Sequence, residues 1–260
     1  FLVMKIITLN VNGIRASAKK GLFDWFKKED PDLICLQEVR AQLGDIQDTI
    51  FWPEAYQCFH HTAEKKGYSG VAIFSKKKPN KIIEGLGSKE FDREGRYIEC
   101  SFDNFNIASV YFPSGTTGTI RQDLKYQFLD EFSDLLKKKI NSKRPYIFCG
   151  DVNIVHKEID IKNWKANQKN SGCLPKERAW LDFIFDDLSC IDSFRTVNQN
   201  DHEYTWWSNR GKAYQNNVGW RIDYQILTSH FERSILDSYV YKDQRFSDHA
   251  PLVNQYDYEF

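Results

Sequence analysis

Short apolar runs bounded by turn residues recur along this chain far more often than stretches with helical periodicity, and that imbalance limits what it can fold into. Residues 5–9, 33–36, 71–74, 97–102, 107–112, 146–149, 222–227 and 252–256 read as strands. Two stretches read as long helices. In the first, Ile120, Leu124, Phe128, Phe132, Leu135 and Leu136 form one stripe; the second opens near Pro175 and sets Leu181, Ile184 and Leu188 on one face. A shorter helix is expected over 22–26. Regular strand–helix alternation would need more helices than these, so the expected class is α+β, with two packed sheets flanked by helices.

A chain of 260 residues with 41% apolar and 28% charged residues can bury a core and is not of disordered composition. One domain is expected over 4–260, and Phe1-Leu2-Val3, which precede a Met, are set aside as extra N-terminal residues. The formal net charge is zero, which gives no global pull toward a polyanion, but the distribution is uneven. Lys and Arg outnumber Asp and Glu over 60–81 and 134–178, and the balance reverses over 223–260. Basic stretches beside an acidic cluster suit a polyanion cut at a cation-loaded site, although any one Lys run, such as Lys76-Lys77-Lys78, is more simply a solvated face. None of the six cysteines forms a C-x-x-C pair, so zinc and redox motifs are not indicated, and reduced thiols point to the cytoplasm. No apolar run reaches transmembrane length and no signal peptide is visible, so no membrane partner is expected.

One arrangement repeats: an apolar strand ends and a polar residue that can handle a metal or a proton follows at once. Asn10-Val11-Asn12-Gly13, Gln37-Glu38, Tyr111-Phe112-Pro113-Ser114 and Gly150-Asp151-Val152-Asn153 all stand in this position. Each has a plain structural reading as a turn, a cap or a surface acid. Together, at one rim of a sheet protein, they could gather oxygen ligands around a hard cation such as Mg²⁺. Near the C-terminus, Asp223 lies on a strand whose neighbours Ile222 and Tyr224 point the other way, and Ser247-Asp248-His249 follows. A histidine that acts on phosphate needs a fixed orientation and a raised pKa, and a buried carboxylate supplies both. Asp223 and His249 are the candidate pair, whereas His60, His61, His156, His202 and His230 are read as structural.

On these residues the chain resembles the exonuclease III branch of the abasic-site (AP) endonucleases, within the endonuclease/exonuclease/phosphatase superfamily. The resemblance runs from Met4 onward through Asn10–Ala16, Leu36-Gln37-Glu38, Tyr111-Phe112-Pro113, Gly150–Asn153, Asn217–Tyr224 and Ser247-Asp248-His249. It implies a four-layer α/β/β/α sandwich with a metal-dependent site at one rim of two mixed sheets. It further implies that Glu38 binds Mg²⁺ (or Mn²⁺, as one or two ions), with Asn12 and Asp248 nearby. Asp151 would activate water, Asn153 would orient it, and His249, held by Asp223, would contact the phosphate, with Tyr111 and Asn10 supporting it. By position Trp206, Trp220 and Ile222 would line an apolar pocket for a base-free sugar, and Arg210, Lys212 and Tyr214 would reach the DNA; Trp207 is assigned to the core. Two departures stand out, Arg40 where the family often has Lys and Ser114 where Asn or Gln is usual. They bear on catalytic efficiency and on the balance between internal incision and 3′-end trimming.

The resemblance implies a monomeric base-excision-repair nuclease. It would act on double-stranded DNA with abasic sites or blocked 3′ ends. Two other classes compete. A phosphodiesterase or phosphatase of the superfamily acting on RNA, a nucleotide or a phospholipid head group is disfavoured by the Trp220–Tyr224 stretch. A non-catalytic DNA-binding protein is disfavoured by the joint presence of Glu38, Asp151, Asn153, Asp223, Asp248 and His249.

Overall fold

The computed structural model describes residues 3–260; Phe1 and Leu2 lie outside the described residues. Its strands, in chain order, are β1 (Val3–Asn10), β2 (Leu33–Gln37), β3 (Gln57–His61), β4 (Val71–Ser75), β5 (Lys81–Glu84), β6 (Tyr97–Ser101), β7 (Asn106–Tyr111), β8 (Tyr146–Asp151), β9 (Ile191–Asp192), β10 (Trp206–Trp207), β11 (Gly219–Trp220), β12 (Asp223–Leu227), β13 (Ile235–Val240) and β14 (Leu252–Asp257). The helices are α1 (Ile14–Lys19), α2 (Leu22–Glu29), α3 (Lys89–Asp92), α4 (Thr119–Asn141), α5 (Pro175–Asp182) and α6 (Ser193–Val197). Two six-stranded sheets form, in the orders β13-β14-β1-β2-β4-β3 and β5-β6-β7-β8-β12-β9. Val3, set aside with its two predecessors on sequence grounds, opens β1 opposite Asp257.

Period-two alternation builds the layers. On β1 and β2, Ile6, Leu33 and Cys35 point between the sheets toward Ile107, Ile147 and Cys149, while Ile7, Leu9, Ile34 and Leu36 point outward under Phe23 and Phe26 of α2. On the other sheet Val110, Phe148, Tyr224 and Ile226 pack outward against Phe128 and Phe132 of α4 and Leu181 of α5. The result is helix, sheet, sheet, helix. Truncating a ring as enclosed as Phe132 would cost about 3–5 kcal/mol.

The helices depart from the sequence reading in detail. Ile120 is 77% exposed, because it lies in the first turn of α4, ahead of the part that packs on the sheet. Lys125, not Leu124, takes the buried position. The second long helix ends its α-helical part at Asp182 and continues as a π-helical turn, Phe183–Asp187, which still delivers Ile184 to the core.

Strand direction places the site. β1 and β2 run parallel, so Asn10 and Gln37 end at the same edge. β7 and β8 are also parallel and end together at Tyr111 and Asp151. β12 runs antiparallel to β8 and begins there, with Asp223 opposite Asp151. β14 is antiparallel to β1, so the segment just before Leu252 comes to the same rim. The sheets are tied near this rim by Gln37 Nε2, which donates to Ser109 Oγ at 3.0 Å, and by Ser109 Oγ, which donates to the Leu36 carbonyl at 2.8 Å.

Candidate active site

Four of the residues that carry the site are in left-handed backbone: Asn12 (φ 43°), Glu38 (φ 53°), Arg40 (φ 54°) and Asn153 (φ 57°). Asn tolerates this region; for Glu it is uncommon and costs stability, which local contacts must offset. The strand-end turns do so. The Glu38 carbonyl accepts the Gly13 N–H at 2.8 Å, and the flanking Val39 and Arg40 N–H groups donate to Gly70 and Ser69. Asn12 and Asn153 repeat one device, each giving its N–H at 2.9 Å to the side chain two residues earlier, Asn10 Oδ1 and Asp151 Oδ1. Gly150 is obligatory for another reason: a Cβ there would sit 1.9 Å from the Val110 carbonyl oxygen.

Asn10 joins the two sheets chemically. Its buried Nδ2 donates to Glu38 Oε2 at 2.8 Å and to Asp151 Oδ2 at 2.9 Å, so one amide holds two carboxylates close together. The other oxygen of Glu38 meets the Arg40 guanidinium at 2.7 Å. Asp248 accepts Asn12 Nδ2 at 3.2 Å and Trp206 Nε1 at 3.1 Å. His249 Nδ1 lies 2.8 Å from Asp223 Oδ2, and its Nε2 lies 3.7 Å from Asp151 Oδ2.

The electrostatics follow from burial. Desolvation alone would hold the His249 ring neutral, but the Asp223 and Asp151 carboxylates outweigh it and raise its pKa. Burial pushes the Asp151 carboxyl up, against the pull of His249 and with the charge of Asp223 adding to the rise. The Tyr111 phenol is driven well above its usual range, by burial first and then by Glu38 and Asp151, so it stays a neutral donor. Arg96 lies beneath it, its guanidinium carbon 5.0 Å from the ring centroid and one nitrogen on the Tyr111 carbonyl at 3.1 Å.

These groups open into a cavity of about 700 Å³. Glu38, Tyr111, Ser114, Asp151, Asn153, Asp248 and His249 share its lining with Trp206, Trp220 and Ile222. The indoles of Trp206 and Trp220 meet edge to face at 5.8 Å and, with Ile222, make its apolar wall, backed by the buried Ile161 and Cys173. A second depression of about 690 Å³, around Tyr68, Arg93 and Arg121, holds no carboxylate–histidine set. Arg210 and Lys212 are exposed on the loop before β11 and do not line the cavity. Tyr214 is taken up by packing, edge on to Trp207 at 5.1 Å with the Arg245 guanidinium 3.9 Å from its ring centroid. Trp207 is buried, as its core assignment requires.

Two donor sets could hold a cation. Asp151, Asp223 and His249 bring ligand atoms within 4.8 Å of one another. However, the His249–Asp223 hydrogen bond engages two members of that set, and a protonated imidazole has no lone pair to give. Glu38 and Asp248 both offer carboxylate oxygen to the cavity, with the Asn12 amide on Asp248, the oxygen-rich and incompletely enclosed kind of set that a hard divalent ion takes.

Sequence reasoning passed over two supports. Thr205 Oγ1 accepts the N–H groups of Ile222 and Asp223, at 3.0 and 3.1 Å, and nothing local marks a threonine for that task. Ser247 donates to the Asn10 carbonyl at 2.6 Å and accepts the His249 N–H at 3.0 Å; its place beside Asp248-His249 was the available signal.

Comparison with known proteins identifies the family. The Endonuclease/Exonuclease/phosphatase family matches residues 7–249. The chain is 40% identical over 252 residues to an exodeoxyribonuclease of Bacillus subtilis (strain 168), covering 96% of this chain and 98% of that protein. It is 37% identical over 255 residues to the DNA repair nuclease APEX1 of Danio rerio, covering 96% and 81%. Among solved structures, an AP endonuclease from Archaeoglobus fulgidus superposes with a TM-score of 0.89 at 27% identity, covering 98% of this chain and all of that one.

Proposed function

Because the chain belongs to the Endonuclease/Exonuclease/phosphatase family, in its exodeoxyribonuclease III and AP endonuclease branch, we propose that it is a Mg²⁺-dependent base-excision-repair nuclease. It cuts the phosphodiester 5′ to an abasic site and trims blocked 3′ ends, leaving a 3′-hydroxyl. The observation that carries this reading is His249 set against both Asp223 and Asp151, with Asp151 tied to Glu38 through Asn10, in one indole-walled cavity.

A phosphodiester resists attack because its own charge repels the nucleophile. Glu38, with Asn12 and Asp248, is the set that would hold one or two divalent ions, Mn²⁺ serving in place of Mg²⁺; bound there, the cation offsets that charge. Asp151 takes a proton from the attacking water. The water oxygen bonds to phosphorus, the bond to O3′ breaks, and the departing oxygen takes a proton from solvent and ends as a hydroxyl, while Asp151 returns its proton to solvent. Asn153 has one amide N–H fixed on the Phe112 carbonyl at 2.8 Å, which sets the amide plane and leaves its other polar atoms for water and phosphate. His249 and the neutral Tyr111 phenol supply hydrogen bonds to the phosphate oxygens as charge builds. Asn10 keeps Glu38 and Asp151 in register.

The indole wall suits a sugar that has lost its base and leaves the duplex at little cost. Arg210 and Lys212 serve the flanking backbone through salt-sensitive contacts, with Tyr214 beneath that loop. Site residues drawn from both sheets support one domain over 4–260, and action as a monomer belongs to the same reading. A DNA substrate implies a location inside the cell. Among the described residues no helix is long and apolar enough to cross a membrane.

A duplex with one abasic-site analogue, labelled at its 5′ end, tests the reading beside an RNA of the same sequence. Cleavage 5′ to the lesion, with a fragment that a polymerase extends, is expected, and the RNA stays intact. Equal cleavage of the RNA, or a fragment that cannot be extended, would remove it.

A further inference from the structure

Beside Asn153, where Lys125 joins the lining of the cavity, a lysine and a glutamate are buried together. Lys125 of α4 is 1% exposed and Glu177 of α5 is 0%, and their side chains form an ion pair. Such a pair loses its hydration on folding, and an apolar pair of similar volume is often as stable or more so. The ion pair by itself therefore gives little reason for the burial.

Its hydrogen bonds give a better one. Lys125 Nζ donates to the Asn153 carbonyl at 2.8 Å, the one polar backbone atom of that left-handed residue not already bound to Asp151. Glu177 Oε1 accepts the Gly172 N–H at 2.7 Å and the Leu174 N–H at 3.1 Å. Gly172, at φ +93°, lies directly on Trp220: a Cβ there would come within 2.8 Å of the indole and 3.1 Å of the Asn153 oxygen. Its carbonyl accepts the Val155 N–H at 2.9 Å, which closes the loop back onto the Asn153 turn. One buried pair thus fixes two walls of the cavity, the turn that carries Asn153 and the loop that backs Trp220.

We propose that Lys125 and Glu177 are positioning residues for phosphodiester cleavage, holding Asn153 against Asp151 and seating the Gly172 loop on Trp220. The inference rests on the assignment of Asn153 to the reaction. Neither charge makes or breaks a bond.

The test compares wild type, Lys125→Arg, the double variant Lys125→Met/Glu177→Leu, and Asn153→Ala in cleavage of an abasic duplex, with melting temperatures measured alongside. The double variant leaves the Asn153 carbonyl and the Gly172 and Leu174 N–H groups without these partners, so it is expected to melt below wild type yet keep its KM, while kcat falls about 100-fold. Lys125→Arg, which keeps a charged donor, should recover most of that loss. A double variant with wild-type kcat overturns the inference. Should the double variant fail to fold, Glu177→Gln decides: it keeps an acceptor for Gly172 and Leu174, and a fall in kcat at unchanged KM is expected, whereas wild-type kcat overturns the inference. Asn153→Ala separates the two levels. Full turnover there would overturn the assignment of Asn153 itself; an inactive Asn153→Ala beside a fully active double variant would overturn the positioning role alone.

Discussion

Asp151 and Asp223 are cross-strand partners on β8 and β12, and the His249 imidazole is set against both, 2.8 Å from Asp223 Oδ2 and 3.7 Å from Asp151 Oδ2. Two buried carboxylates around one ring favour its protonated form. Asp223 Oδ1 is buried and accepts no hydrogen bond from the described residues, so its charge is directed at the imidazole rather than shared among donors. His249→Ala is therefore expected to lower kcat by about 100- to 1000-fold while DNA binding at low salt persists. Single-turnover cleavage read beside fluorescence anisotropy checks this. Lost binding with intact turnover per bound complex would contradict the assignment.

Trp220 is the wall whose removal should separate substrates. Trp220→Ala should reduce kcat/KM on the abasic duplex about tenfold, the equivalent of ~1.4 kcal/mol. Removal of a simple 3′-terminal phosphate, which needs no enclosed sugar, should change less. Equal losses on both substrates would assign Trp220 to the integrity of the cavity rather than to selection.

Arg210 and Lys212 are exposed and lie outside the cavity, so their contribution should be to affinity and should fade with salt. The variant Arg210→Ala/Lys212→Ala should weaken duplex binding at low salt, lower the dependence of log Kd on log salt, and leave single-turnover cleavage at saturating enzyme unchanged. Anisotropy titrations across a salt series provide the measurement; an unchanged salt dependence would place the DNA elsewhere.

Stability should carry its own pH signature. Burial raises the pKa of Asp160, but Arg221 and Arg195 outweigh it and hold the carboxyl down to about 2. A depressed folded pKa contributes stability that is complete above the unfolded value near 4 and is lost as pH falls through about 2. The contribution is about 2 kcal/mol. Asp160→Asn, which leaves Arg221 buried beside a neutral amide, should be less stable than wild type at pH 6, and the gap should narrow between pH 4 and 2. Urea denaturation at several pH values reads this directly, and a pH-independent gap would contradict it.

The central strands were legible because residues such as Ile6, Cys35, Ile107 and Ile147 sit in predominantly apolar runs, as strands covered on both faces do. The edge strands β3, β5 and β13 were not, since Gln57–His61, Lys81–Glu84 and Ile235–Val240 mix polar and half-exposed residues and resemble loops. At the site, the strand-end motifs named Asn10, Glu38 and Asp151, and the carboxylate–histidine pairing near the C-terminus named Asp223 and His249. Their assembly depends on pairings such as Asn10 with Asp151, 141 positions apart, which no local pattern encodes. Lys125 and Glu177 escaped notice because a charged residue in a helix reads as a solvated face until its neighbours in space are known.

The account turns on one carboxylate acting as base beside a cation-binding glutamate, and a single cleavage assay on the abasic duplex addresses it. Wild-type enzyme with Mg²⁺, wild type with excess chelator, and Asp151→Asn with Mg²⁺ are run side by side under single-turnover conditions. Incision is expected in the first reaction alone, with the Asp151→Asn rate at least about 100-fold lower. Incision that survives chelation, or an Asp151→Asn variant that cuts at the wild-type rate, would contradict it.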